Sequence, residues 1–273
     1  MLETPKKKSR LLNLKFRISN LFRIPARHRL RLQALAGGSI VGFRAFFLFI
    51  LDLLFPQKAI IRELEALDPF DVAARAEKAK SYAGKDIISC FDYHDPLIRQ
   101  AVWELKYRGN KKIARILGTI LHDELLAFLE EYAPLTNFTD PLLIPIPLSK
   151  KRESQRGFNQ CELLVNEIMR LDASQGPTLD REKGRTLNES GRNFTLSHAL
   201  TKMLDTPSQT KTDSRAGRLK NLAGCFAADA EVVRGRNIIL IDDVATTGTT
   251  IEEARRMLKK AGAKRVIAFT VAH

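Results

Sequence analysis

Between Asn237 and Val271 the chain reads NIILIDDVATTGTTIEEARRMLKKAGAKRVIAFTV, and no other stretch constrains the fold as strongly. NIILID carries a nearly continuous apolar face and predicts a strand. TIEEARRMLKKAGA predicts a helix closed on its C-terminal side by Gly262. KRVIAFTV predicts a second strand. Strand, loop, helix and strand within about 35 residues make a βαβ unit, since parallel neighbours need a crossover of a dozen residues or more. The expected fold is α/β, with a sheet at least partly parallel and helices packed on it.

In an open α/β sheet, ligands bind beyond the carboxyl ends of the strands. Asp242 and Asp243 stand at that end of NIILID. Adjacent carboxylates can accept hydrogen bonds from vicinal hydroxyls or position a divalent cation through its water shell. Gly248 lets a ligand approach the backbone. Thr246, Thr247, Thr249 and Thr250 offer hydroxyls, and the amides opening the next helix form an anion site. The order suits a sugar phosphate, hydroxyls on the aspartates and phosphate in the loop. Thr249-x-x-Glu252 and Thr250-x-x-Glu253 also each fit a capping box. A cap accounts for one threonine, but not for two aspartates after a buried strand or four threonines around a glycine.

Upstream, residues 59–80 read as a charged helical connector broken near Pro69, and residues 95–133 as two helices. In the second, Ile113, Ile116, Leu117, Ile120 and Leu121 recur at helical spacing and are expected to face the core. LLIPIP, Leu142–Pro147, predicts a buried strand, and GFNQCELLVNEIMRL the helix behind it. The loop between them carries Lys150, Lys151, Arg152 and Arg156. Guanidinium forks suit phosphate oxygens, while a solvated basic turn is the plain alternative. Gly157 frees the backbone there, and Asn159 and Gln160 add polar contacts. Residues 172–222 are polar without sustained period, as in a functional lid or an insertion. CFAADAEVVRGRN predicts strand and turn.

The 273 residues are 44% hydrophobic and 28% charged, as in a soluble globular protein with a sizeable core. The net charge is +14, and residues 1–35 supply +9 of it, with ten Lys/Arg against Glu3 alone. Residues 1–38 therefore read as a flexible, solvated basic arm. Contact of residues 1–35 with nucleic acid or anionic membrane is the functional alternative. IVGFRAFFLFILDLLF, interrupted by Arg44 and Asp52, falls short of the ~20 apolar residues of a spanning helix. No small-residue cleavage site follows it. Burial against the main domain is expected, with an interfacial anchor as the alternative. Cys90, Cys161 and Cys225 form no CxxC pair, which argues against a disulfide framework or zinc knuckle and suits a reducing cytoplasm. His28, His94, His122, His198 and His273 make no spaced metal motif. Cys161 reads as packed, not nucleophilic.

ILIDDVATTGTT resembles the phosphoribosyl-pyrophosphate (PRPP) signature of type I phosphoribosyltransferases. PIPLSKKRESQRGFNQCELL (Pro145–Leu164), LKYRG (Leu105–Gly109) and RLKNLAGCF (Arg218–Phe226) resemble the ComF family, phosphoribosyltransferase-like proteins associated with competence and DNA uptake. The four motifs run in order from about residue 86 to His273. The resemblance implies a type I phosphoribosyltransferase fold: a mainly parallel sheet flanked by helices, with a small hood, over residues 81–273. It implies Asp242, Asp243 and Arg156 as catalytic, and Asp242, Asp243, Val244, Ala245, Thr246, Thr247, Gly248, Thr249 and Thr250 as the PRPP site. Lys150, Lys151, Arg152, Arg156 and Gly157 would face the pyrophosphate, with Gln209, Arg218 and Asn221 in a mobile loop. Lys106 and Tyr107 match a family turn and receive no role. The family's four-cysteine zinc module is missing after LDLLFP, so no zinc is expected and a helical extension, 39–80, stands in its place.

Three functions are consistent with this reading. The first is transfer of a phosphoribosyl group from PRPP to a nitrogen acceptor, with Mg²⁺ carried by PRPP and no protein-only metal site. The second is PRPP sensing or competence support without turnover. The third is nucleic-acid or membrane association through the arm of an otherwise cytoplasmic protein. The acceptor and the oligomeric state are not readable from the chain.

Overall fold

The computed structural model describes residues 59–79, 86–174, 193–204 and 224–273. The basic arm, the apolar run Ile40–Phe55, half of the extension, and the loop positions Gln209, Arg218 and Asn221 lie outside the described residues.

In chain order, α1 (Ala59–Ala66) and α2 (Pro69–Arg75) precede β1 (Ile87–Phe91). The connector breaks where expected: Asp68 caps α2 through the Asp71 amide, and Pro69 takes the first turn, where its missing N–H costs nothing. Next come α3 (Pro96–Trp103), a π-helical turn over Glu104–Arg108, and α4 (Lys111–Thr136). Then follow β2 (Leu142–Pro145), α5 (Lys150–Arg156), α6 (Gln160–Ser174), β3 (Thr195–Leu196), β4 (Leu200–Lys202) and β5 (Phe226–Ala228). The chain closes with α7 (Ala230–Val233), β6 (Asn237–Val244), α8 (Thr249–Lys260) and β7 (Arg265–Ala272).

Five strands form one sheet in the order β1-β7-β6-β2-β3, and each neighbouring pair is parallel. The predicted βαβ unit is β6-α8-β7, with Ile239 opposite Ile267 and Asp242 opposite Thr270. β4 and β5 make a separate antiparallel ribbon.

Burial on both faces explains why NIILID is apolar nearly throughout. Ile239 and Ile241 join one core with Ile267, Phe269, and residues of α2, α3, α4 and α6. Ile238 and Leu240 join a second, with Ile251, Ala254 and Leu258 of α8 and Phe226 of the ribbon. Each such side chain, removed from water, stabilises the fold by about 1.5–3 kcal/mol. The five α4 positions expected inward are all buried. Gly118 brings α4 against α6, since a Cβ there would lie 2.7 Å from Glu167 Cβ.

Two local readings change. The segment expected as a loop, Lys150–Arg156, is a seven-residue helix. KKRESQR has no residue that opposes helix, Ser149 caps it by accepting from the Arg152 amide, and Gly157 closes it in the left-handed region. Within the polar 172–222 stretch, residues 193–204 include β3, one of the sheet's two edge strands, and β4. Strands of two and three residues are too short to show a period. Asp172 draws the chain back to the sheet, accepting from the Asn193 amide, Asn193 Nδ2 (2.8 Å) and the Phe194 amide.

Candidate functional site

β6 ends in the two carboxylates, and both are buried. Strand alternation sends neighbouring side chains to opposite faces, so each aspartate meets a different neighbour. Asp242 Oδ1 accepts from the Asp243 amide at 2.9 Å and from Cys161 Sγ at 3.4 Å. Asp243 Oδ1 accepts from the Val244 amide at 2.8 Å, and Lys106 Nζ stands 3.1 Å from its Oδ2. Burial, then the adjacent Asp243 carboxylate, push Asp242 up to about 7. Burial opposes the charge of Lys106, but Asp243 and then Asp242 outweigh it and hold the ammonium above the usual lysine range. Burial, reinforced by both aspartates, keeps Cys161 a thiol well above the ordinary value. Cys161 is thus a hydrogen-bond donor to the site, consistent with packing and not with a nucleophile.

Three separated motifs meet here. LKYRG contributes Lys106 to Asp243, while Tyr107 lies under the Arg156 guanidinium at 5.4 Å from the ring centroid. Gly109 turns the chain at φ 59. A Cβ at this glycine would come within 2.9 Å of Phe158 Cε1, so the turn packs directly on RGFNQ. Within RGFNQ, Asn159 Nδ2 donates to the Ile146 carbonyl while its Oδ1 accepts from the Cys161 amide, both at 3.0 Å. One side chain thereby ties the end of β2 to the start of α6 and sets the thiol against Asp242. Arg156 Nη1 donates to Gln160 Oε1 at 3.0 Å.

The loop from β6 to α8 follows. The Ala245 amide donates to the Ala272 carbonyl at 3.0 Å, and His273 Nδ1 donates to the Ala245 carbonyl at 2.6 Å. Thr246 is exposed, and Thr247 and Thr249 share a hydroxyl contact at 3.0 Å. Neither capping box forms. Gly248, at φ 70, is the N-cap and offers no side-chain bond, which places Thr249 and Thr250 inside the helix. Glu253 turns instead to the Gly224 amide at 2.6 Å and to Arg256 at 2.7 Å. Gly248 has no side chain to bond the first amides of α8, the groups through which a helix start can hold an anion.

The predicted residues are not all gathered alike. Asp242, Asp243 and the Val244–Thr250 loop are continuous, and Arg156 reaches the KYRG turn. Lys150 and Lys151 are exposed and Arg152 half-buried on α5, none of whose residues is buried. Sequence reasoning left Lys106 without a role, yet it is the cation on the acid pair. No local pattern marks it, because its partner stands at the end of β6, far along the chain. Among the described residues no three His, Cys, Asp or Glu side chains converge as a metal site. Also among them, no helix is long and apolar enough to cross a membrane.

The phosphoribosyl transferase domain family matches residues 197–273. The competence protein ComFC of Bacillus subtilis (strain 168) is 34% identical over 185 residues, covering 67% of this chain and 62% of that protein. The DNA utilization protein YhgH of Escherichia coli (strain K12) is 28% identical over 180 residues, covering 66% of this chain and 68% of that protein. The chain thus spans a little under two thirds of the Bacillus relative's length. Among solved structures, the hypoxanthine-guanine phosphoribosyl transferase of L. donovani aligns at 11% identity over 59% of this chain and 67% of that one, with a TM-score of 0.31. That likeness is too loose to add to the topology itself. The parallel sheet, the acid pair at its carboxyl end and the motifs folded around it, taken with the relatives, lead to one assignment: the chain belongs to the ComF family of phosphoribosyltransferase-like proteins.

Proposed function

We propose that this chain binds PRPP at the carboxyl end of β6 and transfers its phosphoribosyl group to a nitrogen acceptor, releasing pyrophosphate. The observation that carries the reading is the buried, adjacent Asp242 and Asp243 leading straight into the uncapped start of α8. In the displacement, the bond from ribose C1 to the pyrophosphate oxygen breaks, a C1–N bond forms, and the acceptor nitrogen gives up its proton. The aspartates would accept from the ribose hydroxyls. The Ala245–Thr249 loop would wrap the 5′-phosphate, with the amides after Ala245 turned to it and the Thr247 and Thr249 hydroxyls beside them. Arg156, with Lys150, Lys151 and Arg152 on α5, would meet the leaving pyrophosphate, where positive charge is needed as the bond breaks. Mg²⁺ arriving with PRPP would neutralise charge on the pyrophosphate. Asp242 and Asp243 are suitable oxygen donors towards it, in a shell that water and PRPP complete. Nothing in this scheme requires a protein nucleophile, in keeping with a thiol held protonated at Cys161.

The names of the relatives, competence and DNA utilization, support placing this activity in the uptake or use of DNA. Calorimetric titration with PRPP, with and without Mg²⁺, tests the site. Binding is expected in the wild type and lost in a folded Asp242→Asn/Asp243→Asn variant. Pyrophosphate release with a pool of nucleobases and amines then separates transfer from mere binding. A wild type that is well folded and blind to PRPP ends this reading.

A further inference from the structure

We propose that Lys106 is the resting counter-ion of the acid pair, and that a divalent cation reaches Asp243 only by displacing its ammonium. This rests on the reading of Asp242 and Asp243 as the ligand-binding end of the sheet.

Two adjacent buried carboxylates repel each other and need a nearby cation to remain charged together. Among the described residues Lys106 is the one cation within ion-pairing distance of either, 3.1 Å from Asp243 Oδ2. Its position is built. Lys106 lies in the π-helical turn Glu104–Arg108, a geometry that recurs at functional sites because the extra residue re-aims a side chain. The turn is locked from behind, with Leu105 fully buried and Gly109 against Phe158.

Exposure gives the direction of approach. The Lys106 side chain is 26% exposed and that of Asp243 only 4%. The ammonium therefore stands between the carboxylate and water, in the path of anything that enters. Its polar hold on the site is the ion pair of its tip with Asp243. A lysine head is a compact point charge on a flexible four-carbon stem, free to withdraw without rearranging the backbone. A free divalent cation must compete with it, whereas a polyanion carrying its own cation offers the ammonium phosphate oxygens to move to. Lys106 thereby biases the site against bare metal and towards metal delivered on a phosphorylated ligand. Specificity here comes from a competitor already in place.

The test uses the full chain and Mn²⁺ alone, followed by electron paramagnetic resonance. Lys106→Met is expected to bind Mn²⁺ at least tenfold more tightly than wild type. Adding Asp243→Asn to it abolishes that gain, and Lys106→Arg, which keeps the charge, stays as weak as wild type. Equal Mn²⁺ affinity in wild type and folded Lys106→Met overturns the proposal, as does tight binding by Lys106→Arg. If Lys106→Met does not unfold cooperatively, Lys106→Gln replaces it. Failure of both neutral variants to fold would also overturn it, because a displaceable counter-ion cannot be indispensable to the fold. PRPP titrated into the same samples keeps the two readings apart. The Mn²⁺ pattern without PRPP binding removes the transfer reading and leaves the counter-ion, and PRPP binding without the Mn²⁺ pattern does the reverse.

Discussion

Asp242 is a carboxylate placed where the fold disfavours its charge. Burial and Asp243 raise it to about 7, against an ordinary value of 3.8. Between those two values the folded chain holds a proton that the unfolded chain has released, so stability falls as pH rises from about 4 through 7. Asparagine cannot ionise. Asp242→Asn is therefore expected to be more stable than wild type above pH 7 by roughly 1–3 kcal/mol, with the two converging near pH 4. Thermal midpoints between pH 4.5 and 8.5 read this directly. A variant less stable than wild type at pH 8 would show that the carboxylate serves the fold. A stabilised variant blind to PRPP would mark a group kept for its ligand at the expense of stability. Gly109 tests the neighbouring turn. Alanine there meets both the left-handed φ of 59 and Phe158 at 2.9 Å. Gly109→Ala should cost about 2 kcal/mol, measured by denaturant unfolding, and should weaken PRPP binding by moving Lys106. Unchanged stability would mean the turn is free to shift.

Elements differ in how openly the sequence announces them, and the difference has physical causes. The β6-α8-β7 unit was legible because its strands are eight residues long and buried on both faces, and its helix is amphipathic with glycine behind it. The core face of α4 was legible for the same reason, repetition. By contrast α5 exposes every residue to some degree, so its sequence carries charge without period and reads as a turn. The capping boxes misled because Gly248 starts the helix one residue early and Glu253 finds stronger partners in Arg256 and the Gly224 amide. Lys106 was missed because its partner lies more than a hundred residues away in the chain, and no local pattern encodes a tertiary ion pair. The aspartates were legible from one strand end, but Cys161, set against them by Asn159, was not. Asp172 belongs with these cryptic residues. It sits at the end of α6, 2% exposed, and three donors from Asn193 and Phe194 converge on it. Hydrogen bonds to a buried charge are worth more than neutral ones, so Asp172→Ala should cost about 3 kcal/mol and Asp172→Asn less. Chemical denaturation of both variants checks the order. Equal, small losses would mean that β3 is anchored by its pairing with β2 alone.

Across the whole molecule, charge divides the chain into two chemistries. The proposed PRPP site depends on two buried acids, one ammonium and a loop of amides. The excess charge lies elsewhere, with +9 of the net +14 within residues 1–35. A polyanion binding through that arm would release counterions, and its affinity would fall steeply with salt. The slope of log K against log salt is about −0.7 per phosphate neutralised on a single strand, hence no steeper than roughly −7 for ten basic residues. PRPP binding, confined to a few fixed contacts, should respond to salt far less. Deleting residues 1–35 should therefore remove most affinity for single-stranded DNA or anionic vesicles and leave PRPP binding within about twofold, a shift of only ~0.4 kcal/mol. Measuring both affinities on the full and shortened chains at two salt concentrations decides the matter. DNA or vesicle binding that survives the deletion, with its salt slope intact, would move the polyanion surface outside residues 1–35. Loss of PRPP binding together with the arm would show that the two chemistries are one.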